Sequence, residues 1–365
     1  MLDHENSYTE KLHLIRMLSD MIWAEPHSRE KTSIAHSNLN WNEVILQSAQ
    51  TKTLGILADA VKMASVELPT EIADEFKKYR SENTARNFNN LAETFSVITV
   101  LAAANITAVA FKGSVRSFQV YGGWGTRSSS DVDILVTPET YEKAKFALIE
   151  KGYNNVVDPR SKWWHHHLGE SPFQKVPKKS TVVDLHFSLQ QPGGPFPRNL
   201  KYILDHAVQQ DFGKRSLFLL NNEDALLVTT IGYGKAVRAG EPWLRQAHEL
   251  AYVYAKSSSE ERAKFETNAA EQGLARLYKE AMNISLKIFD PALQDTKFSK
   301  DTLVMILGAF GMSNNVRFFR TKKLWAWTDG GPGIRSIRFL KEIIRVQQSE
   351  AALRFERRKG YVGVD

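Results

Sequence analysis

Two aspartates at alternate positions of an apolar run constrain this chain of 365 residues more than any other feature. Asp131 and Asp133 directly precede the apolar segment Ile134-Leu135-Val136. Because side chains alternate along a β-strand, carboxylates two residues apart project from the same face. Adjacent anionic groups repel each other unless a cation lies between them. The run therefore predicts a strand that binds a metal ion, and its oxygen ligands suit Mg²⁺.

A phosphate-binding turn is expected shortly before this strand. Lys112, Gly113 and Ser114 follow the β-like run Ile106 to Phe111 and open a helix-like segment. The free N–H groups at a helix N-terminus bind phosphate. A carboxylate pair beside such a turn is the equipment of phosphoryl or nucleotidyl transfer.

Asp184 is the best candidate for a third metal ligand, because it also lies in an apolar, β-like run. A neighbouring strand would bring it to the same metal ions, and three carboxylates of this kind hold two Mg²⁺ about 3.5–4 Å apart. One ion would activate the attacking oxygen and the other would bridge the triphosphate. His186 follows Asp184 by two residues and faces the same side of the sheet. It is expected to act as a proton shuttle or to donate a hydrogen bond to a carboxylate.

The sequence resembles the uncharacterised nucleotidyltransferase-like family of the DNA polymerase β superfamily. The motifs that carry the resemblance, between about residues 100 and 255, are Lys112-Gly113, Tyr121, Arg127, Asp131-x-Asp133, Gly152-Tyr153 and Asp184-Leu185-His186. Trp243-Leu244-Arg245 followed by Glu249-Leu250 is similar to the family's Leu-Arg-x-x-x-Asp-Leu helix, with Glu where Asp is usual.

The resemblance implies roles for these residues. Gly113 and Ser114 would contact the triphosphate, and Asp131, Asp133 and Asp184 would bind the metal ions. Asp184 would serve as ligand or as base toward the acceptor hydroxyl.

Two cationic side chains, Lys112 and Arg127, are expected to neutralise the triphosphate charge. Lys112 could instead be a surface lysine, and Arg127 could pair structurally with one of the aspartates. The expected cofactor is Mg²⁺, with Mn²⁺ as an alternative, and the expected donor is an NTP, with ATP favoured. The acceptor could be a small molecule, a modified peptide or RNA.

The order of the elements predicts a mixed α/β fold, with a small nucleotidyltransferase-type sheet and flanking helices. Residues 1–105 are predicted to form a helical N-terminal region and residues 106–190 the catalytic core. Residues 191–365 are predicted to form a helical C-terminal domain with a basic tail. The Gly- and Ser-rich segment from Gly122 to Ser130 is predicted to be a flexible loop.

Composition narrows the possible classes of protein. The chain has no cysteine, which excludes disulfides and thiolate zinc sites. No signal-peptide pattern opens it, and no apolar stretch approaches the length of a membrane span. A cytoplasmic protein without a membrane partner is expected.

Basic residues are concentrated near the C-terminus. The segment between Arg317 and Lys359 contains twelve Lys and Arg and only four acidic residues. A tail of this kind suits an anionic partner such as RNA, a nucleotide sugar, a phosphorylated acceptor or a membrane surface. The alternative is a solvated helix face.

Two aromatic segments leave alternatives open. The run Trp163-Trp164-His165-His166-His167 could cover the active site and stack on a base, or could simply pack against the protein. A zinc site is disfavoured there, because no thiolate or second His cluster is present. The segments Arg317-Phe318-Phe319-Arg320 and Trp325-x-Trp327 could bind nucleic acid, although a cap on the helical core is favoured.

The leading hypothesis is a Mg²⁺-dependent nucleotidyltransferase that moves an NMP from an NTP to an acceptor. One alternative is a nucleotidyltransferase toxin that acts on tRNA or protein. Another is a non-catalytic nucleotide-binding or scaffold protein on the same fold.

Overall fold

Helices lie before, between and after the strands of a single sheet. The computed structural model describes residues 2–23, 39–158, 160–161, 163–175, 181–291, 300–311 and 316–361. The helices before the first strand are α1 (Leu2–Trp23), α2 (Trp41–Gln50), α3 (Leu54–Met63) and α4 (Thr70–Ala103). Those between strands are α5 (Gly113–Tyr121), α6 (Tyr141–Glu150) and α7 (Leu200–Asp205). Those after the last strand are α8 (Asn222–Ala239), α9 (Leu244–Lys256), α10 (Ser259–Glu271), α11 (Ala275–Ile288), α12 (Lys300–Ala309), α13 (Val316–Trp327) and α14 (Pro332–Arg358). None of the described helices combines the length and the apolar character needed to cross a bilayer.

The sheet is mixed, and its strand order is β3-β4-β5-β2-β1-β7-β6. The strands are β1 (Val109–Ala110), β2 (Asp131–Leu135), β3 (Tyr153–Asn155), β4 (Glu170–Lys175), β5 (Val182–His186), β6 (Val208–Phe212) and β7 (Arg215–Leu219). Strand β2 is parallel to β5 and antiparallel to β1. The mixed α/β fold expected from the sequence is therefore confirmed.

Two hydrophobic cores hold the fold together. One joins the sheet to α4 and α6 through apolar side chains such as Ile134, Leu185 and Leu148. The other contains residues from both ends of the chain, including Leu18 from α1, Leu250 from α9 and Trp327 from α13. The predicted N-terminal and C-terminal helical regions thus share a core, which brings α8 and α9 close to the sheet.

The sheet is larger than the predicted core of residues 106–190. Strands β6 and β7 lie beyond that range, where only helices were predicted, and β7 pairs in parallel with β1. The hairpin has a short, alternating burial pattern in which Leu217 and Leu219 are buried and Phe218 is exposed. Two strands this short, beside a helix-rich region, give a weak periodic signal.

Candidate functional site

The carboxylates of β2 and β5 meet across a parallel strand pair. Asp133 lies opposite Asp184 in the register, and Asp131 lies opposite Val182. Ligand atoms of Asp133, Asp184 and His186 all fall within 4.8 Å of one another. Within the described part of the chain this is the group that could hold a metal ion, and it includes neither Asp131 nor the side chains of His166 and His167. The sheet therefore brings together two of the three predicted carboxylates and the predicted histidine.

Two carboxylates flank the ring of His186. Its Nε2 lies 3.0 Å from Asp133 Oδ1, and its Nδ1 lies 3.0 Å from Glu170 Oε2. Glu170 comes from β4, where it pairs in register with His186 itself. Burial and Lys112 oppose protonation of the ring, but Glu170 and Asp133 outweigh them and raise the pKa of His186. The sequence analysis missed Glu170, which follows the Trp-His run without a periodic signal of its own.

The charges of the three aspartates are unequally stabilised. Burial alone would raise the pKa of Asp133, but Lys112 and His186 outweigh it and hold the pKa well below its usual range. Burial raises the pKa of Asp184 to about 7, and the nearby Asp133 and Glu170 add to this effect. Burial and Asp133 also raise the pKa of Asp131. A divalent cation would stabilise the ionised form of all three groups, so this donor set fits a hard metal ion.

The predicted phosphate turn lies directly against this site. Helix α5 begins at Gly113, whose φ of 61° lies in the left-handed region. A Cβ atom at Gly113 would lie 3.0 Å from Ser129 Oγ and 3.1 Å from the carbonyl oxygen of Asp131. Glycine is thus required both by the backbone conformation and by the close approach of the turn to β2. Ser114 follows in the first turn of α5 and is buried.

Lys112 connects the turn to the carboxylates. Its Nζ lies 3.5 Å from Asp133 Oδ1, and it is also positioned over the ring of Phe111 at 4.6 Å from the centroid. The side chain keeps about a quarter of its surface exposed, at 27%. Lys112 is therefore an ion-pair partner of the site rather than an isolated surface lysine.

Arg127 contacts the turn but pairs with neither aspartate. Its Nη1 donates a hydrogen bond to the carbonyl of Gly113 at 2.9 Å, and its Nε lies 3.5 Å from Glu249 Oε2. In the helical motif of the resemblance, Glu249 stands where aspartate is usual, and it is buried in α9. It also accepts hydrogen bonds from Arg116 Nε at 2.5 Å and Thr229 Oγ1 at 2.6 Å. Burial opposes its ionisation, but Arg116 and Arg127 lower the pKa of Glu249 to about 2.

The loop that carries Arg127 is anchored, contrary to its predicted flexibility. Buried amides of α4 donate to its backbone carbonyls, and the residues that do so are Asn83, Asn87 and Asn90. Asn87 Nδ2 donates to the carbonyl of Trp124 at 2.6 Å and to that of Arg127 at 2.8 Å. The spacing of the three asparagines puts them on one face of a helix, which is a signal that sequence analysis could have used.

Two further cations lie near the site. Burial, and then the nearby ammonium of Lys112, lower the pKa of Lys235 in α8 to about 8, while Glu170 opposes this shift. Burial and Arg127 lower the pKa of Arg245 in α9 to about 10. Arg245 belongs to the helical motif of the resemblance, whereas Lys235 is a lone lysine in an apolar helix and had no sequence signal.

The Trp-His run packs against the C-terminal helix. Trp163 donates through its backbone N–H to Glu356 at 2.9 Å and through Nε1 to Ser349 Oγ at 3.1 Å, both in α14. Residues Trp164–Leu168 form a π-helical turn before β4. The side chains of His165 and of the segment 317–320 lie outside the described residues. Trp327 is buried in the helical core, as favoured from the sequence.

The mixed sheet places carboxylates on adjacent strands, beside a glycine turn at a helix N-terminus. This arrangement is that of a nucleotidyltransferase-type sheet with a candidate metal centre. The chain belongs to a family described as uncharacterised nucleotidyltransferase, whose model matches residues 37–290. This match confirms the resemblance and extends beyond residues 100–255, which carry the motifs. A comparison with curated proteins gives no match.

Proposed function

We propose that the protein is a Mg²⁺-dependent nucleotidyltransferase that transfers an NMP from an NTP to a hydroxyl or phosphate of an acceptor. The observation that carries this proposal is the group formed by Asp133, Asp184 and His186, within 4.8 Å of one another, in a chain of a nucleotidyltransferase family. The glycine turn at Gly113 lies against the same strand. The expected donor is ATP, and the acceptor classes remain a small molecule, a modified peptide or RNA.

The donor set supports a division of roles around the cofactor. Asp131, Asp133 and Asp184 would hold Mg²⁺ or Mn²⁺, which when bound supplies Lewis-acid stabilisation of the phosphate charge. The backbone of Gly113 and Ser114 would bind phosphate oxygens at the N-terminus of α5. Lys112 and Arg127 would offset the remaining negative charge of the triphosphate.

The proposed transfer forms one bond to the α-phosphorus and breaks another, and the chain supplies a group that takes the proton. The acceptor oxygen attacks the α-phosphorus, and the bond from that phosphorus to the oxygen bridging to the β-phosphate breaks. Pyrophosphate leaves with the bonding electron pair. When the acceptor is a hydroxyl, its proton passes to the carboxylate of Asp184. Hydrogen bonds to Asp133 and Glu170 keep the His186 ring in a fixed orientation beside these carboxylates.

Thermal unfolding with each of the four NTPs, with and without Mg²⁺, tests the proposal. An NTP bound only to the native state raises its stability by about 2.7 kcal/mol at one hundred times the Kd. We expect this rise for one NTP in the presence of Mg²⁺, and we expect Asp133→Asn to abolish it. Asp205→Asn is the matched control, because this carboxylate is 53% exposed and, among the described residues, forms its ion pair with Lys201 at the surface.

This experiment and an expression assay separate the alternatives. A rise in Tm that persists in Asp133→Asn would contradict the assigned site. No rise with any NTP would favour the scaffold reading of the fold. Growth arrest on expression, relieved by Asp131→Ala, would favour the toxin reading, and catalysis would still require the same carboxylates.

A further inference from the structure

Helix α14 is attached to the body of the protein by two buried carboxylates on one face. Glu342 accepts a hydrogen bond from the backbone N–H of Gly193 at 2.5 Å. Glu356 accepts from Ser161 Oγ at 2.6 Å and from the N–H of Trp163 at 2.9 Å. Both carboxylates are almost fully buried. These contacts determine which side of the helix faces the protein.

The opposite side of α14 exposes large apolar side chains. The exposed fractions are 57% for Ile337, 58% for Leu340, 55% for Ile344 and 59% for Phe355. At about 100° per residue, these four positions fall in one narrow sector, roughly opposite Glu342. We call them the outer stripe. Single exposed apolar residues are ordinary, but a row of them along one helix marks an interaction surface.

The outer stripe is bordered by positive charge. Helix α14 contains seven basic and three acidic residues. Two of the three acids are Glu342 and Glu356, which face inward, and the third, Glu350, pairs with Arg354 at 3.2 Å. The exposed cations beside the stripe are Lys341, Arg354 and Lys359, and the exposed Arg358 lies at its C-terminal end. The outward side of the helix is therefore apolar along its middle and cationic at its borders.

We propose that the outer stripe and its bordering cations dock the protein on an anionic phospholipid surface. Apolar side chains of a helix that lies in the membrane interface enter the acyl boundary, and Lys and Arg reach the headgroups with their alkyl stems along the apolar zone. Each such cation is attracted by the negative potential of an anionic leaflet. This proposal replaces the expectation of a protein without a membrane partner, and it does not depend on the proposed catalytic activity.

Other occupants fit the charge pattern less well. A second copy would place the same cations against each other, and Glu350, already paired with Arg354, is the remaining acid of α14 that could offset them. RNA would satisfy the cations, but bases stack on aromatic side chains, whereas three of the four residues of the outer stripe are aliphatic. An anionic bilayer satisfies both the apolar and the cationic parts.

Vesicle flotation tests the proposal, with phosphatidylcholine alone or mixed with phosphatidylserine, at low and high salt. We expect binding to the mixed vesicles at low salt only. Ile337→Ser with Ile344→Ser should abolish binding. Phe146→Ser with Ile149→Ser is the matched control, because these side chains are similarly exposed, at 62% and 50%. This pair should preserve binding, because it lies on α6 and not on the outer stripe.

A double substitution that removes two charges tests the contribution of the cations separately from that of the apolar outer stripe. Lys341→Gln with Arg358→Gln should weaken binding about fivefold for each charge removed. Lys77→Gln with Lys78→Gln, an exposed pair on α4, should leave it unchanged.

Three results of the flotation assay would overturn the proposal. These are no flotation with phosphatidylserine vesicles, equal loss of binding in the matched α6 pair, and equal binding to phosphatidylcholine alone. A dimer that forms without vesicles and is broken by Ile337→Ser with Ile344→Ser would also overturn it, and would assign the outer stripe to an interface between copies.

Discussion

The guanidinium Nε of Arg127 lies 3.5 Å from the carboxylate of Glu249, more than one hundred residues later in the chain. The contact is an ion pair, because this Nε makes no hydrogen bond within the described part of the chain. The same Arg127 donates to the carbonyl of Gly113 at 2.9 Å. Glu249 in α9 is thereby coupled, through one side chain, to the turn that would bind phosphate.

Neutralising this carboxylate should destabilise the protein. Glu249→Gln leaves the buried guanidinium of Arg116 and the largely buried one of Arg127 without a compensating charge, and breaking a buried ion pair costs about 3–5 kcal/mol. Urea unfolding measures the change in the free energy of unfolding. Glu260→Gln is the control, because Glu260 is 79% exposed and pairs with Lys264 at the surface, and it should leave the free energy of unfolding nearly unchanged. Equal effects of the two substitutions would contradict the network.

Removing a single amide side chain of α4 should loosen the loop of residues 122–130, which carries Arg127. Asn87→Ala removes the donor to two part-buried carbonyls, and an unsatisfied buried polar group costs about 1–3 kcal/mol. Hydrogen exchange should rise in residues 122–130, and trypsin should cleave faster after Arg127. Asn89→Ala, two residues along the same helix and exposed, should change neither. If the loop exchanged equally fast in wild type, its amide anchors would not restrain it.

Local patterns were sufficient to predict the strands that carry the three aspartates and not the residues that surround them. Asp131, Asp133 and Asp184 could be predicted because alternation in an apolar run has a physical meaning within five or six residues. Gly113 could be predicted because a turn between a strand and a helix favours glycine. These signals do not depend on the rest of the chain.

Glu170, Arg116 and Lys235 could not be predicted in the same way. Glu170 reaches the site only because β4 pairs with β5, and the sequence does not specify that pairing. Arg116 is hydrogen-bonded to a residue 133 positions away. Such contacts arise from tertiary packing, and no periodic pattern in the sequence between the two partners indicates them. The amide anchors are an intermediate case, since the helical spacing of the asparagines and the loop itself were both visible, but the contact between them was not.

The turn at Gly113, at the start of α5, should be far less tolerant of a methyl group than the end of the same helix. Gly113 and Gly122 both have φ in the left-handed region, at 61° and 67°. A Cβ at Gly113 would meet Ser129 and Asp131, whereas a Cβ at Gly122 would meet nothing within 4 Å. Gly122→Ala should therefore cost only the backbone strain, about 1 kcal/mol.

Gly113→Ala should cost more than this and should also abolish the NTP-dependent rise in Tm. Thermal unfolding of both variants, with and without NTP and Mg²⁺, provides the comparison. Retention of the nucleotide response in Gly113→Ala would mean that the turn does not bind phosphate.

A buried histidine should make the protein sensitive to acid. His248 lies in α9, with Nδ1 3.1 Å from the hydroxyl of Tyr121 and Nε2 3.3 Å from the carbonyl of Leu18. Burial lowers the pKa of His248 to about 4, from 6.5 for the exposed group. Below pH 6.5 this histidine binds a proton in the unfolded chain but not in the folded one. Its titration therefore does not change the free energy of unfolding above pH 6.5, and it lowers that free energy as the pH falls toward 4.

The full effect of this histidine, about 3 kcal/mol, should be reached near pH 4. His248→Gln removes the titrating group, so its free energy of unfolding should fall less steeply than that of wild type between pH 6.5 and 4. His206→Gln, an exchange at an exposed position, should keep the wild-type slope. Urea unfolding at several pH values measures both slopes. Parallel curves for wild type and His248→Gln would show that folding does not lower the pKa of this histidine.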